Sequence, residues 1–425
     1  MSGTYWPTKL LGDLFVVGAG KTMSAASRIG ENKVSFLRTS NVFWDEIDLA
    51  QVDEMAIPDR ELADKLVEPG DLLVCEGGEI GRAAIWEGGP APMSFQNHLH
   101  RLRPQVADVD PRFYVYFLQS AFTQLGIFEG AGNKTTIPNL SSGRLKALEV
   151  PHPPLAEQVA IADVLRHVQR ARRLNKRVLL TTQELKSAAM EQLFTRGLRG
   201  EAQRESEVGP VPESWGVAAI DEHFSVVSGG TPSRSNATYW SGGTIPWVKT
   251  TEVNYSVITE TEEHITQAGL NGSAAKLLPP GTLLMAMYGQ GVTRGKVGIL
   301  GIEASCNQAC AAITPTDDAV VAQYLYHYLT SRYEAIRSLA HGGQQQNLNL
   351  DIVRKIDVPV PPTIVEQQEI IDVLHALDRK IDLHRRKRAV LDQLFKSLLH
   401  KLMTGEISVD DLDLSALPSI DGSAA

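Results

Sequence analysis

Three cysteines in 425 residues, Cys75, Cys306 and Cys310, are too few and too unevenly spaced for a disulfide framework, which fits a reducing compartment. No apolar run approaches 18 residues, and Met1 to Leu10 lacks the charged-then-apolar order of a secretory signal. A membrane span and secretion are therefore not expected, and a cytoplasmic location is. Surplus positive charge is also missing. Against 50 Asp and Glu stand 41 Lys and Arg, a net charge of −9, which speaks against a generic nucleic-acid coat protein but leaves room for local basic faces. The remaining composition, 43% hydrophobic and 21% charged, is that of a soluble globular chain and excludes collagen-like, low-complexity or wholly disordered classes. Its length predicts two or three domains.

Catalytic signatures are scarce as well. Val17-Gly18-Ala19-Gly20-Lys21-Thr22 hints at a phosphate loop, but the position that should hold the first glycine of that pattern is Phe15, and the similar Ser228-Gly229-Gly230-Thr231-Pro232 has no lysine. A glycine turn between paired strands is the better reading. Cys306-x3-Cys310 and His98-x-His100 are isolated pairs without the second pair of a zinc site, so no metal is expected. There is no Gly-x-Ser-x-Gly elbow, no Asn/Asp-Pro-Pro-Tyr/Phe stretch of amino-methyltransferases, and no nuclease-like Pro-Asp followed by Asp/Glu-x-Lys. A triad assembled only in space is the weakest alternative. The chain reads as non-catalytic, with no catalytic residue and no cofactor of its own.

What the sequence does contain is a repeat of half its length. Val150-Pro-His-Pro-Pro154 leading to Glu157-Gln158 returns 208 residues on as Val358-Pro-Val-Pro-Pro362, leading to Glu366-Gln367 at an offset of 209, which Trp6 and Trp215 share. Arg38-Thr39 matches Lys249-Thr250, Pro69-Gly70 matches Pro280-Gly281, and Gly81-Arg82 matches Gly295-Lys296. Pro-Gly turns running into Leu72 to Cys75 and Leu283 to Met285 predict buried strands, and Tyr114 to Leu118 and Tyr324 to Leu329 predict short packed helices. Each globule is thus mixed α and β. After each proline pair an apolar stripe begins at three- and four-residue spacing: Ile161, Leu165, Val168, Ala171, Leu174, Val178, Thr182, Leu185, Ala189 and Leu193 in the first, Ile370, Leu374, Leu377, Ile381, Leu391, Leu394, Leu398 and Leu402 in the second. Both predict long coiled-coil-like helices.

Polar and basic side chains at repeated places suit base edges and phosphates. The DNA-contacting candidates are Arg38, Thr39, Asn41, Arg82, Lys134 and Thr135 in the first half and Lys249, Thr250, Lys296, Gln344, Gln345 and Asn347 in the second. The difference between Arg38/Asn41 and Lys249/Glu252 suggests that the halves read different sequences.

The motifs Pro212-Glu-Ser-Trp215, Gly229-Gly-Thr-Pro232, Tyr239-Trp-Ser-Gly-Gly-Thr-Ile-Pro246-Trp247-Val-Lys249, and the twice-occurring Pro-x-Pro-Pro before Glu-Gln resemble those of specificity (S) subunits of type I restriction-modification enzymes. The resemblance extends to about Glu406. It implies two target recognition domains of mixed α/β (α+β) fold, residues 1–150 and 208–358, separated by two long antiparallel coiled-coil helices, 151–207 and 359–405, about a pseudo-two-fold axis. An acidic, frayed tail, 406–425, is expected to follow. It further implies a split target on double-stranded DNA. Two modification subunits would dock on the helices, through Glu157, Gln158, Leu165, Glu366, Gln367 and Leu374, and restriction subunits would join them. Those partners, not this chain, would use S-adenosylmethionine, ATP and Mg2+. Phe36-Leu37 replaces Pro246-Trp247 in the first half, and the Gly-Gly-Thr-Pro turn is absent there, so differently shaped recognition loops are expected. The rival reading is a coiled-coil scaffold that binds only protein.

Overall fold

The computed structural model describes residues 6–89, 92–126, 140–289, 292–341 and 347–413. The chain divides into two compact units, Met1–Lys176 with Arg386–Ala425, and Arg177–Arg385.

In the first unit a four-stranded antiparallel sheet runs in the order Phe15–Ala19, Leu99–Pro104, Leu72–Cys75, Ala83–Ile85. A second sheet places Lys33–Leu37 between antiparallel Asp53–Ala56 and parallel Met93–Phe95. Strand Leu72–Cys75 is buried at every position because it is central and covered on both faces. Helix Pro111–Thr123 lies over it, and its aromatic face forms the core with Phe15, Leu165, Val168, Phe395 and Leu402.

The second unit repeats this plan. Its sheet order is Phe224–Ser228, Cys310–Pro315, Leu283–Ala286, Val297–Leu300, with Val257–Ile258 added as a parallel edge. The partner sheet places Ile245–Val248 between antiparallel Glu263–Ile265 and parallel Ser305–Cys306. Phe194 packs edge-on to Tyr324 and Tyr328, at 5.6 and 5.4 Å between ring centres. The repeat reaches into backbone conformation: Gly70 and Gly281 have φ of 95° and 89°, and Gly81 and Gly295 have 81° and 86°. Such values favour glycine, which explains why these glycines recur.

Two long helices complete the units, Leu155–Arg196 and Ile364–Met403. Neither contains Pro or Gly. Each begins just after a proline pair and is followed by a glycine with positive φ, Gly197 or Gly405, so the starts and stops are chemical. Arg172 Nε meets Asp392 at 2.7 Å in the first unit, and Lys186 Nζ meets Asp378 at 2.5 Å in the second. In each unit one such ion pair ties the two helix segments together.

The buried stripe of the first helix departs from expectation. Leu174, Val178 and Leu185 are exposed, whereas Asn175 and Leu179, outside the expected stripe, are buried; Thr182 is buried as expected. Asn175 lies seven residues after Val168 and shares its face, while Leu174, at six residues, is rotated by about 120° from it. Hydrophobicity alone picked the wrong neighbour. The tail is likewise corrected for its first part: Ile407, Val409 and Leu412 pack on the first unit's core, and Ser408 and Asp411 cap the turn Val409–Asp411. Residues 414–425 lie outside the described residues.

Candidate nucleic-acid interface

In each unit the parallel strand pair of the smaller sheet ends at a common edge, and backbone hydrogen bonds gather loops there. In the first unit Gln96 N–H donates to Leu37 O at 2.9 Å, Glu76 N–H to His98 O at 2.9 Å, and Leu140 N–H to Glu76 O at 2.9 Å. In the second, Asn307 N–H donates to Val248 O at 3.0 Å, Met287 N–H to Ala309 O at 2.8 Å, and Leu348 N–H to Met287 O at 3.1 Å. The chain of bonds is the same. Three loops therefore converge in each unit: those after Leu37, Cys75 and Phe95, and those after Val248, Ala286 and Cys306. The loops were expected to differ in shape between the halves, yet this framework is common to both. Gly20 does for the first unit what Gly229 does for the second. A Cβ at either would lie 2.3 or 2.2 Å from a backbone oxygen, of Gln96 or Cys306, so these glycines permit a close strand-to-loop approach.

Arg38 and Lys249 precede matching 3-10 turns, Thr39–Asn41 and Thr250–Glu252. Asn41 Oδ1 accepts the Arg38 N–H at 2.9 Å, as a Glu252 oxygen accepts the Lys249 N–H at 2.7 Å. Asn41 is buried, and its Nδ2 donates to Asp48 O and Gln51 O at 2.9 and 2.8 Å. Its amide holds the turn together and is not available to a base, so the Asn41/Glu252 difference reflects two ways of capping one turn.

The cations beside these turns are fenced by carboxylates. Arg38 Nη1 lies 3.0 Å from Asp53, and Lys249 Nζ lies 2.5 Å from Glu262 and 3.5 Å from Glu263. Strand register puts Asp53 opposite Phe36 and Glu263 opposite Trp247, so the pairs occupy equivalent places. The bond to Glu262 holds the Lys249 ammonium above its ordinary pKa, and Arg234, followed by Lys249, holds the Glu263 carboxyl below its own. The Arg82 guanidinium sits 5.1 Å from the centre of the Phe43 ring. Lys296 Nζ bonds Asn254 Oδ1 at 2.7 Å. The Thr39 carbonyl faces the Cys75 thiol at 3.9 Å, Thr250 is half-buried and Asn347 is exposed. Lys134, Thr135, Gln344 and Gln345 lie outside the described residues.

Several side chains at these edges were not singled out from sequence. Arg234 stacks 3.7 Å from the centre of Trp240 and 4.9 Å from that of Trp247. Gln96-Asn97-His98 and Asn307-Gln308-Ala309 form the loops described above. Their matching amides, one residue out of step in type, were the available signal.

The helix residues selected for docking are mostly turned inward. Gln158, Leu165, Gln367 and Leu374 are fully buried. Gln158 Oε1 accepts the Asp110 N–H at 2.9 Å, and its Nε2 donates to Asp108 O at 3.0 Å and Pro153 O at 2.8 Å. Gln367 does the same for Val321 N–H and Ala319 O, at 2.9 and 2.8 Å. The Glu-Gln motif is thus a clamp that fixes each helix start to the loop before a globule helix, Pro111–Thr123 or Ala322–Ser331. Trp6 Nε1 donates to Glu157 at 3.2 Å. Burial, then Glu201, pushes the Glu366 carboxyl up, against the favourable Trp215 indole. The exposed apolar side chains are others: Leu174, Leu180 and Leu185 on the first helix, Val365, Leu383 and Val390 on the second.

Among the described residues no group of three or more His, Cys, Asp or Glu is arranged to hold a metal, and no helix is long and apolar enough to cross a membrane. The family model for the type I restriction modification DNA specificity domain matches twice, over residues 4–181 and 212–393. The chain belongs to this specificity-subunit family.

A relative described as the MjaX type I restriction enzyme specificity subunit, from Methanocaldococcus jannaschii, is 24% identical over 415 residues, 95% of this chain and 94% of the relative. The MjaVIII specificity subunit from the same organism is 24% identical over 342 residues, 77% of this chain and 79% of that one. Among solved structures, the type I restriction-modification S subunit from M. genitalium superposes with a TM-score of 0.62 at 16% identity, covering 94% of this chain and 96% of that one. A chain from a structure on complex assembly and conformational transition of the type I system gives 0.54 at 16% identity, covering 95% and 98%. The specificity-subunit architecture of two repeated recognition domains with two long helices is therefore the fold of this chain.

Proposed function

We propose that this chain reads DNA sequence for a type I restriction-modification complex, each unit taking one half of a split target. The observation that carries this reading is the duplicated loop edge. Two units share one hydrogen-bonded framework but display different side chains on it, as separate recognition of two unlike half-sites requires. The exposed leucines and valines on the helices fit docking of modification subunits, two by the symmetry of the repeat, with restriction subunits joining them. On this account adenine methylation with S-adenosylmethionine, and ATP- and Mg2+-dependent cleavage, belong to those partners. The chain itself contributes recognition and assembly and is not an enzyme.

Methylome sequencing of a host expressing the chain with its modification partner tests the proposal. A methylated motif in two parts separated by unspecified bases is expected. A contiguous motif, or methylation without any motif, would refute it, and a chain that binds only protein would give the second outcome.

A further inference from the structure

Arg38 and Lys249 at the loop edges are engaged by Asp53, Glu262 and Glu263, and recruiting either to a base would mean breaking an ion pair. The amide loops beside them carry no such commitment. We propose that Asn97 and Gln308 each read a base edge and so determine the base required at one position in each half of the target. This rests on the DNA-reading function proposed above and names its specificity determinants.

The first support is rigidity. Both loops are anchored at each end: Leu99 N–H returns to Gln96 O at 2.9 Å and Cys310 N–H to Asn307 O at 3.1 Å, besides the bonds to Leu37, Glu76, Val248 and Met287. Asn97 N–H also donates to Lys21 O at 3.1 Å, and Asn307 Oδ1 accepts the Ala309 N–H at 3.2 Å. Gly20 and Gly229 let the neighbouring strand end rest against the loop backbone. A side chain on such a loop reaches its partner with little further ordering.

The second support is chemistry. An amide offers a donor and an acceptor together, the pattern that matches adenine N6 and N7. Asn97 is half-buried and makes no side-chain hydrogen bond among the described residues, while Gln308 is exposed and its Oε1 accepts from the Thr231 hydroxyl. Thr231 is a positioning residue. By donating to the oxygen it turns the amide so that the Gln308 nitrogen is presented to donate, which suits a purine N7 or guanine O6. Thr22, at the matching place in the first unit, makes no such contact among the described residues. The two units would therefore impose different bases from the same loop.

The test uses the chain assembled with its modification partner, with motif and discrimination read by methylome sequencing and by competition between synthetic duplexes. Gln308→Ala should relax one position of one half-site, losing about ten- to a hundredfold in discrimination there, with the other half and the gap unchanged. Asn97→Ala should do the same in the other half, and Thr231→Val should relax the Gln308 position alone. The near-isosteric Gln308→Glu, an acceptor only, should shift preference toward cytosine. Unchanged motifs in Gln308→Ala and Asn97→Ala would overturn the proposal. Uniform loss of methylation at all sequences by a folded Gln308→Glu complex would also do so, because a base reader alters preference. If the unaltered complex has no split motif, it is the DNA-reading function that fails.

Discussion

Replacing Gln158 tests whether the Glu-Gln motif is an internal clamp or a docking surface. Gln158 is fully buried and bonds the Asp110 N–H, Asp108 O and Pro153 O. Gln158→Ala leaves those groups without their partner and opens a void the size of the lost side chain. An unsatisfied buried polar group costs about 1–3 kcal/mol, and since Asp108 is exposed, water can take over that carbonyl. The expected loss is about 2–4 kcal/mol in the first unit. Gln158→Met, which keeps the volume and loses the bonds, should retain most of the penalty. Gln158→Glu should be no better, since it keeps the acceptor for Asp110 but sets oxygen against the two carbonyls and buries a charge. Hydrogen exchange at the Asp110 amide is the local reporter: a cost of that size corresponds to exchange faster by roughly thirty- to several-hundredfold, at 1.4 kcal/mol per factor of ten. Val321, the matching amide in the second unit, should be unaffected. Unchanged exchange and urea midpoint, together with lost association of the modification partner, would refute the clamp and restore the docking role.

Two further outcomes follow from titratable and charged groups. His327 is fully buried with neither ring nitrogen hydrogen-bonded, and burial, then Lys186 and His375, lowers its pKa to about 3. Because protonation near the ordinary 6.5 is open only to the unfolded chain, stability is full above that pH and falls as pH drops toward 3; between pH 7 and 5 the second unit should lose about 2 kcal/mol. His327→Phe should remove this component, and equal urea midpoint shifts in both proteins would sink the assignment. Secondly, with Arg38 and Lys249 paired to carboxylates, sequence-specific DNA binding by the chain alone should be weakly salt-dependent. About two phosphate contacts predict roughly a tenfold loss between 50 and 200 mM salt, and a loss beyond a thousandfold in a titration would mean the cations are free.

The repeat and the strands were legible because they depend on residues whose conformations are nearly obligatory. Gly70, Gly281, Gly81 and Gly295 adopt positive φ at matching turns, and the proline pairs start both helices. Buried amides were not legible. Gln158 and Gln367 look like surface residues of an amphipathic helix, and only the loops at Asp108 to Asp110 and Ala319 to Val321, nearly fifty residues earlier, turn them into core. The apolar stripe failed by one residue for a related reason: Asn175 occupies a core position that its polarity disguises, and Leu174 beside it attracts the assignment. Asn97 and Gln308 escaped notice because their setting is made by bonds to Glu76, Lys21 and Thr231 from elsewhere in the sequence. The helices and strands are local consequences of sequence, whereas the candidate site is a product of their meeting.

On the proposed function, the separation between framework and reading side chains would also account for the pairing of Arg38 and Lys249 with carboxylates. If the loop-edge cations were unpaired, each unit would hold DNA of any sequence, and the discrimination offered by one amide, a few kcal/mol at most, would be diluted by binding at the vast excess of wrong sites. Asp53 paired with Arg38, and Glu262 and Glu263 around Lys249, would suppress that background at equivalent positions in both units. On the proposed function, attraction to phosphate would then come mainly from partners, and this chain would contribute to the difference between sequences more than to the total affinity. Since the backbone bonds that shape the loops do not depend on residues 97 or 308 being amides, the side chains proposed as readers could change without disturbing the fold. A duplicated framework of this kind can diverge in one half while the other half and the long helices keep their structure.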